Sequence, residues 1–224
     1  MKRLITTAGA ILLSTCALLA QPKLSKDNID EVINAMTLEE KATLLVGGGW
    51  GSMSAGSMTA SSAVLVPGAA GTTRGIDRLC IPPTVLADGP AGLRITPVRG
   101  DGPDTYYCTG FPVGTVMASM WDTERVKELT TAMGNEVLEY GVDVLLAPGA
   151  NIHRNPLCGR NFEYFSEDPY LSGKFAAALT NGVQKNRGCY VTLKHFCCNN
   201  QEDNRNKTNA NVSERALREI YLRG

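Results

Sequence analysis

The sequence predicts an α/β fold of the parallel kind, a partial (β/α)8 TIM-type barrel amounting to roughly its first half. Three observations carry this expectation. Short apolar runs of strand length alternate with stretches whose apolar residues recur at helical spacing, the order expected of parallel βα units. Polar residues collect just after three of these runs, where a parallel barrel carries its site. Only about four such units fit the pattern, against the eight of a closed barrel. The last helical stretch reaches Gly224 with no strand after it, so the sequence reads as a barrel truncated at the C-terminus.

The first twenty residues stand apart. Lys2 and Arg3 precede an uncharged apolar run from Leu4 to Ala20 that leads into Gln21-Pro22. This is a secretory signal pattern, too short and too close to the amino terminus for a membrane span. Residues 1–20 are therefore expected to be a signal peptide, residues 21–224 the incomplete barrel domain, and the protein exported to the periplasm or beyond. Leu13-Ser14-Thr15-Cys16 resembles a bacterial lipoprotein box but departs from it at Thr15, so a lipid anchor at Cys16 is the minor alternative to cleavage near Ala20.

Downstream, Ile29, Val32, Ile33 and Met36 draw one apolar stripe on a helix. Thr37 to Glu40 is a capping box that opens another. From Gly47 to Thr73 the composition shifts to Gly, Ser, Ala and Met without sustained period, which reads as a long loop. Its Gly47-Gly48-Gly49-Trp50-Gly51 completes neither a dinucleotide fingerprint nor a phosphate loop. Ile81 to Ala87 reads as a strand, and Phe111 to Ala118 as a second apolar run. Val126, Leu129, Met133, Val137 and Tyr140 mark a helix over Asp122 to Tyr140. Val142 to Ala147 is a continuous apolar strand. Asp168-Pro169 supplies a helix cap with proline in the first turn, and Leu171, Phe175, Leu179 and Val183 follow on one face. Tyr190 to Leu193 is the last strand, and Ser213 opens a helix through Leu217, Ile220 and Tyr221.

The polar clusters lie at the ends of the strand-like runs. Asp88-Gly89-Pro90 continues to Arg94. Asn151 to His153 leads to Arg160 and Glu163. Lys194-His195 runs into Asn199-Asn200-Gln201-Glu202 and Arg205. Each has an ordinary structural explanation. Asp-Gly-Pro is a common turn, Arg160 and Glu163 at i,i+3 can pair on a helical turn, and a lone histidine is commonly a satisfied buried one. Their arrival at three strand ends that converge on one rim is what points to a site.

Twenty-two basic and twenty-two acidic residues cancel, which argues against nucleic acid or an anionic membrane as partner. A neutral small molecule fits better. Donors and acceptors mixed on one rim suit the vicinal hydroxyls of a sugar, because a buried polar group rejects an analogue that leaves it unpaired. A phosphorylated ligand is the rival, since Arg94, Arg160, Lys194 and Arg205 outnumber Asp88 and Glu163. Setting Cys16 aside, six of the seven cysteines remain, at positions 80, 108, 158, 189, 197 and 198. The even count permits disulfides without assigning them. No CxxC pair supports a metal site, and no metal or cofactor is expected.

At these positions the sequence resembles glycoside hydrolase family 3, in its β-glucosidase-like branch. The resemblance rests on Leu86 to Arg94, on Asn155 to Pro169, on Lys194-His195-Phe196 with Asn199 to Glu202, and on Ser213 to Leu222, and spans roughly residues 27 to 224. It implies that Asp88 grips hydroxyls of the terminal sugar, that Arg94, Arg160, Lys194, His195 and Arg205 line the same subsite, and that Glu163 orients the basic residues. It further implies a retaining mechanism, in which two carboxyl groups stand about 5 to 5.5 Å apart. The family's nucleophile is an aspartate in a Ser-Asp-Trp or Thr-Asp-Trp setting, and its acid/base glutamate usually comes from a following domain. Neither tripeptide occurs here, and Asp122 follows Trp121 rather than preceding it. No catalytic residue is therefore assigned within the chain. Both catalytic carboxylates are expected beyond Gly224, and the chain alone is expected to bind a sugar without turning it over.

Where N-acetylhexosaminidase members carry Pro-Gly-His-Gly after Lys-His-Phe, this sequence has Cys197-Cys198-Asn199-Asn200. The expected activity is hydrolysis of terminal β-D-glucosyl or related residues from a small or oligosaccharide β-glycoside. A non-catalytic carbohydrate-binding remnant and a phosphosugar-binding barrel enzyme are the alternatives.

Overall fold

The computed structural model describes residues 21–48, 65–99 and 102–224. The signal-like segment, Cys16 and most of the glycine-rich stretch after Gly47 lie outside them.

Two short helices come first, α1 over Ile29–Ala35 and α2 over Leu38–Val46. The capping box forms as the sequence predicts. Thr37 Oγ1 accepts from the Glu40 amide, and the Glu40 carboxylate accepts from the Thr37 amide at 2.8 Å. The apolar stripe of α1 is only half used: Val32 and Met36 are buried with Ile76 and Leu79, whereas Ile29 and Ile33 are exposed.

A four-stranded sheet in the order β1-β2-β3-β4 follows, formed by Gly71–Thr72, Val85–Asp88, Val144–Leu146 and Tyr190–Val191. β1 is antiparallel to β2, while β2, β3 and β4 are mutually parallel. Between the parallel strands run α3 (Gly114–Ser119) with α4 (Thr123–Glu139), and then α5 (Pro169–Val183). This is a partial barrel of the (β/α)8 type. Successive strand residues point to opposite faces. Val85, Ala87 and Leu145 are buried and join Met133, Val137, Leu179 and Val183 under the helices. Leu86, Asp88, Val144 and Leu146 share the other, half-exposed face, the one that a barrel turns toward its interior.

Two glycines set the packing of α4 on α5. A Cβ at Gly182 would stand 1.9 Å from Thr130 Oγ1 and 2.5 Å from the Lys127 carbonyl oxygen, and one at Gly134 would stand 2.5 Å from the Val183 carbonyl oxygen. Only bare backbone allows the helices to approach this closely. Asp168 caps α5, its carboxylate accepting from the amides of Tyr170 and Leu171.

Two expectations are corrected. The apolar run Phe111 to Ala118 is not a strand: its second half is helix α3, which buries the adjacent Met117 and Ala118. A short apolar run has no period that separates strand from buried helix. The stretch read as loop up to Thr73 contains β1, whose two residues are too few to show alternation. The sheet thus has four strands, but only three are parallel: β1 is an antiparallel edge strand outside β2, and β2 pairs directly with β3 where a strand from Phe111 to Ala118 was expected. The last helix begins at Ser213, whose Oγ accepts from the Ala216 amide at 3.3 Å. It runs as α6 (Glu214–Ala216) into a π-helical turn over Leu217–Tyr221.

Candidate active site

Asp88 is the last residue of β2, on the half-exposed face, and the chain turns sharply after it. Gly89 permits the turn, since a Cβ there would meet the Gly92 carbonyl oxygen at 2.3 Å. The Arg94 amide then returns to the Asp88 carbonyl at 2.9 Å, which places Arg94 beside the carboxylate with its Nη1 3.7 Å from Oδ2. Lys194 follows β4. Its amide donates to the Pro148 carbonyl at 2.9 Å, extending the parallel pairing past the strand, and its Nζ forms an ion pair with Asp88 Oδ1. The ends of β2 and β4 are thus joined across β3 by one charged contact, with the Lys194 side chain only 15% exposed.

The second cluster grows from the loop after β3. Gly149 lies flat against the 3₁₀ turn Asn161–Glu163, where a Cβ would meet the Glu163 carbonyl oxygen at 2.6 Å. Glu163 is 3% exposed and pairs with Arg160 Nε. Arg160 also stands 4.0 Å from Glu202, which binds Arg205 at 2.8 Å. Burial pulls the Arg160 guanidinium down, but the carboxylate of Glu163 more than restores it, so the group stays charged. At Glu202 burial alone would favour protonation, and hydrogen bonding from Asn199 with the charges of Arg160 and Arg205 outweighs it. The carboxyl is held below its ordinary range.

His195 lies between the clusters, its Nδ1 2.9 Å from the Tyr164 hydroxyl. Burial, reinforced by the charges of Arg160 and Lys194, pushes its pKa down to about 4, so the imidazole is neutral at neutral pH. The Tyr164 hydroxyl is pushed up to about 12, chiefly by burial. Asn199 ties His195's partner to the second cluster, donating from Nδ2 to the Tyr164 hydroxyl at 2.8 Å and to Glu202 at 2.9 Å. Asn151, 3% exposed, holds the Asn199 backbone at both ends, accepting from its amide at 3.1 Å and donating to its carbonyl at 2.9 Å.

All seven residues singled out from the sequence therefore lie in two linked groups: Asp88, Arg94 and Lys194 in one, and Arg160, Glu163, Arg205 and His195 in the other. The structure gives roles to Glu202, Asn199 and Asn151, which the sequence placed in the polar clusters without one, and adds Tyr164. The pairing of Glu202 was signalled by its i,i+3 spacing to Arg205. The role of Asn151 depends on a contact 48 positions away and leaves no local signal. His153 belongs elsewhere, its Nε2 2.8 Å from the Asn161 carbonyl. The cysteines at 80, 108, 158, 189, 197 and 198 are free thiols. The Sγ atoms of Cys197 and Cys198 lie 3.6 Å apart. Among the described residues no cluster of three or more His, Cys, Asp or Glu side chains is placed to hold a metal, and no helix is long and apolar enough to cross a membrane.

Chemically, the rim presents cations that are already partnered. Asp88 answers Lys194 and Arg94, Glu163 answers Arg160, and Glu202 answers Arg205. Such a surface offers many directed hydrogen bonds with little net charge, which suits hydroxyls better than phosphate.

Comparison with known proteins agrees with this geometry. The model of the glycosyl hydrolase family 3 N-terminal domain matches residues 90–224. Thermostable beta-glucosidase B of Acetivibrio thermocellus is 42% identical over 203 residues, which is 87% of this chain and 23% of that protein. An exo-alpha-(1->6)-L-arabinopyranosidase of Bifidobacterium longum is 39% identical over 194 residues, 85% of this chain and 23% of that protein. The solved structure of beta-glucosidase 3B from Thermotoga neapolitana in complex with alpha-D-glucose superposes with a TM-score of 0.80 at 54% identity, covering 87% of this chain and 26% of that one. The chain thus spans about a quarter of the length of these relatives. With its partial barrel and strand-end site, the chain belongs to glycosyl hydrolase family 3 and carries sequence of that family's N-terminal domain.

Proposed function

We propose that the full-length protein is an exo-acting, retaining glycosidase that removes terminal β-D-glucosyl or closely related residues, and that this chain supplies its sugar-binding floor. The observation that carries the reading is the Asp88–Lys194 pair, a charged contact at the strand-end rim with Arg94 beside it. A carboxylate there accepts from sugar hydroxyls, while Lys194, Arg160 and the neutral His195 donate. Glu163 holds Arg160 in place and is too enclosed to meet the ligand.

The nucleophile and the acid/base are assigned to residues outside these 224. In support, Asp88, Glu163 and Glu202 are each committed to cations, which fits them to binding and orientation rather than to covalent attack. The chain alone is accordingly a binder without turnover. Export of the full-length protein remains part of the proposal, on the strength of the apolar stretch after Lys2-Arg3.

Relatives named as beta-glucosidases support the glucoside, and the arabinopyranosidase relative makes a pentopyranoside the natural competitor. The test is the anomeric configuration of the first product from the full-length protein, followed by proton NMR on aryl β-D-glucoside, β-D-xyloside, N-acetyl-β-D-glucosaminide and α-L-arabinopyranoside. Release of β-glucose with the glucoside preferred is the expected result. Inversion, or action on N-acetylglucosaminides alone, would overturn the reading.

A further inference from the structure

We infer that Tyr164 and Asn199 are positioning residues for His195: a one-way chain of hydrogen bonds holds its imidazole as the Nε2–H tautomer, the form that presents Nε2 as a donor. The inference deepens the proposed function, and rests on it only for what Nε2–H meets, a hydroxyl of the bound sugar.

The direction of the chain follows from what each group can give. Glu202 is ionised and can only accept. The Asn199 side-chain atom 2.9 Å from its Oε1 must therefore be the amide nitrogen, and that nitrogen is also 2.8 Å from the Tyr164 hydroxyl oxygen. Its two protons serve one partner each. The Tyr164 oxygen, having accepted one proton contact, has its own proton to place, and His195 Nδ1 stands 2.9 Å away. Nδ1 thus accepts. A neutral imidazole whose Nδ1 accepts carries its proton on Nε2.

Every link is held from outside. Tyr164 is fully buried, with its ring edge-on to His195 at 6.0 Å between centroids. Asn199 is fixed through its backbone amide and carbonyl by the Asn151 side chain. The ring is neutral because it is buried beside Arg160 and Lys194. His195 can therefore donate to a hydroxyl without adding another cation to a rim that already has four. The arrangement has the logic by which a group behind a histidine fixes which of its nitrogens is protonated.

Nitrogen-15 NMR of the imidazole in the full-length protein tests this, with the His195 signals identified by their loss in His195→Gln. The parent should show a protonated Nε2 and an unprotonated Nδ1. In Tyr164→Phe, which keeps the ring and removes only the hydroxyl, the two tautomers should mix. Loss of one oriented hydrogen bond should then lower kcat/KM by about tenfold. Asn199→Asp should reverse the chain: the tyrosine proton turns to the new carboxylate, so Nδ1 must donate and the ring becomes the Nδ1–H tautomer. A parent already in the Nδ1–H form, or ring signals unchanged in Tyr164→Phe, would overturn the inference even if Asn199→Asp failed to fold. Ring signals that change as stated in a protein with no glycosidase activity would uphold the positioning chain and sink the functional reading instead.

Discussion

Replacing Asp88 by alanine in the full-length protein is expected to lower kcat/KM by about one and a half to three decades. The magnitude has a chemical and a structural part. A charged hydrogen bond to a sugar hydroxyl, together with the unsatisfied partner left behind, accounts for about 2–4 kcal/mol, and each decade in rate corresponds to about 1.4 kcal/mol. The structural part concerns Lys194. Its side chain is 15% exposed and would lose its carboxylate, whereas Arg94, 81% exposed, would lose a contact of 3.7 Å that contributes little. An unpaired, mostly buried ammonium costs less than the roughly 3–5 kcal/mol of a fully enclosed pair, so some lowering of Tm should accompany the loss of activity. Asp88→Asn separates the two effects, because the amide oxygen can still accept from Lys194 while the charge is gone. Initial rates on an aryl β-glucoside, measured beside thermal melts, should show Asp88→Asn nearly as inactive as Asp88→Ala but closer to the parent in Tm. An Asp88→Ala protein within threefold of the parent in kcat/KM would refute the assignment. So would an activity loss that matched only the fraction unfolded.

Three further outcomes are expected. Cys197→Ala should keep most activity, because its thiol meets the neighbouring Cys198 thiol and is not one of the charged groups of the rim; a loss as large as that of Asp88→Ala in the same rate assay would show that the role of this strand end has been misread. Gly182→Ala should destabilise by about 1–3 kcal/mol or more, since its Cβ would sit 1.9 Å from Thr130 Oγ1; a denaturant midpoint equal to the parent's would mean that α4 and α5 do not cross as described. Stability should also fall as the pH drops from about 6.5 to about 4. The His195 pKa is about 4 in the folded protein against 6.5 for the ordinary group, so the unfolded chain binds the extra proton across that window and stability rises with pH through it. Discounted for the ring's partial exposure, the change is about 1–2 kcal/mol, and His195→Gln should flatten it in urea titrations at successive pH values.

Much of the fold was legible in order along the chain. The helices over Thr123–Glu139 and Pro169–Val183 declared themselves because long segments repeat their apolar spacing several times, and Asp168 and Thr37 because capping depends on neighbours two or three residues away. The segment Phe111 to Ala118 failed because eight residues offer too few repeats to separate a strand from a buried helix. β1 failed because a two-residue strand is defined by its partner and not by itself.

The site divides in the same way. By itself the sequence determined which chemical groups collect at the rim, because Asp88, Arg160, Glu163, Lys194, His195 and Arg205 follow apolar runs whose ends must face one side of a parallel sheet. Local i,i+3 spacing already offered the Arg160–Glu163 and Arg205–Glu202 pairs; only the tertiary structure decided the partners that are distant along the chain. Asp88 meets Lys194 across 106 positions, and Asn151 grips Asn199 across 48. Ion pairing and hydrogen bonding act over a few ångströms of space regardless of separation along the chain. Which cation answers Asp88, and which groups stand behind His195, were therefore settled only when the strands were laid side by side.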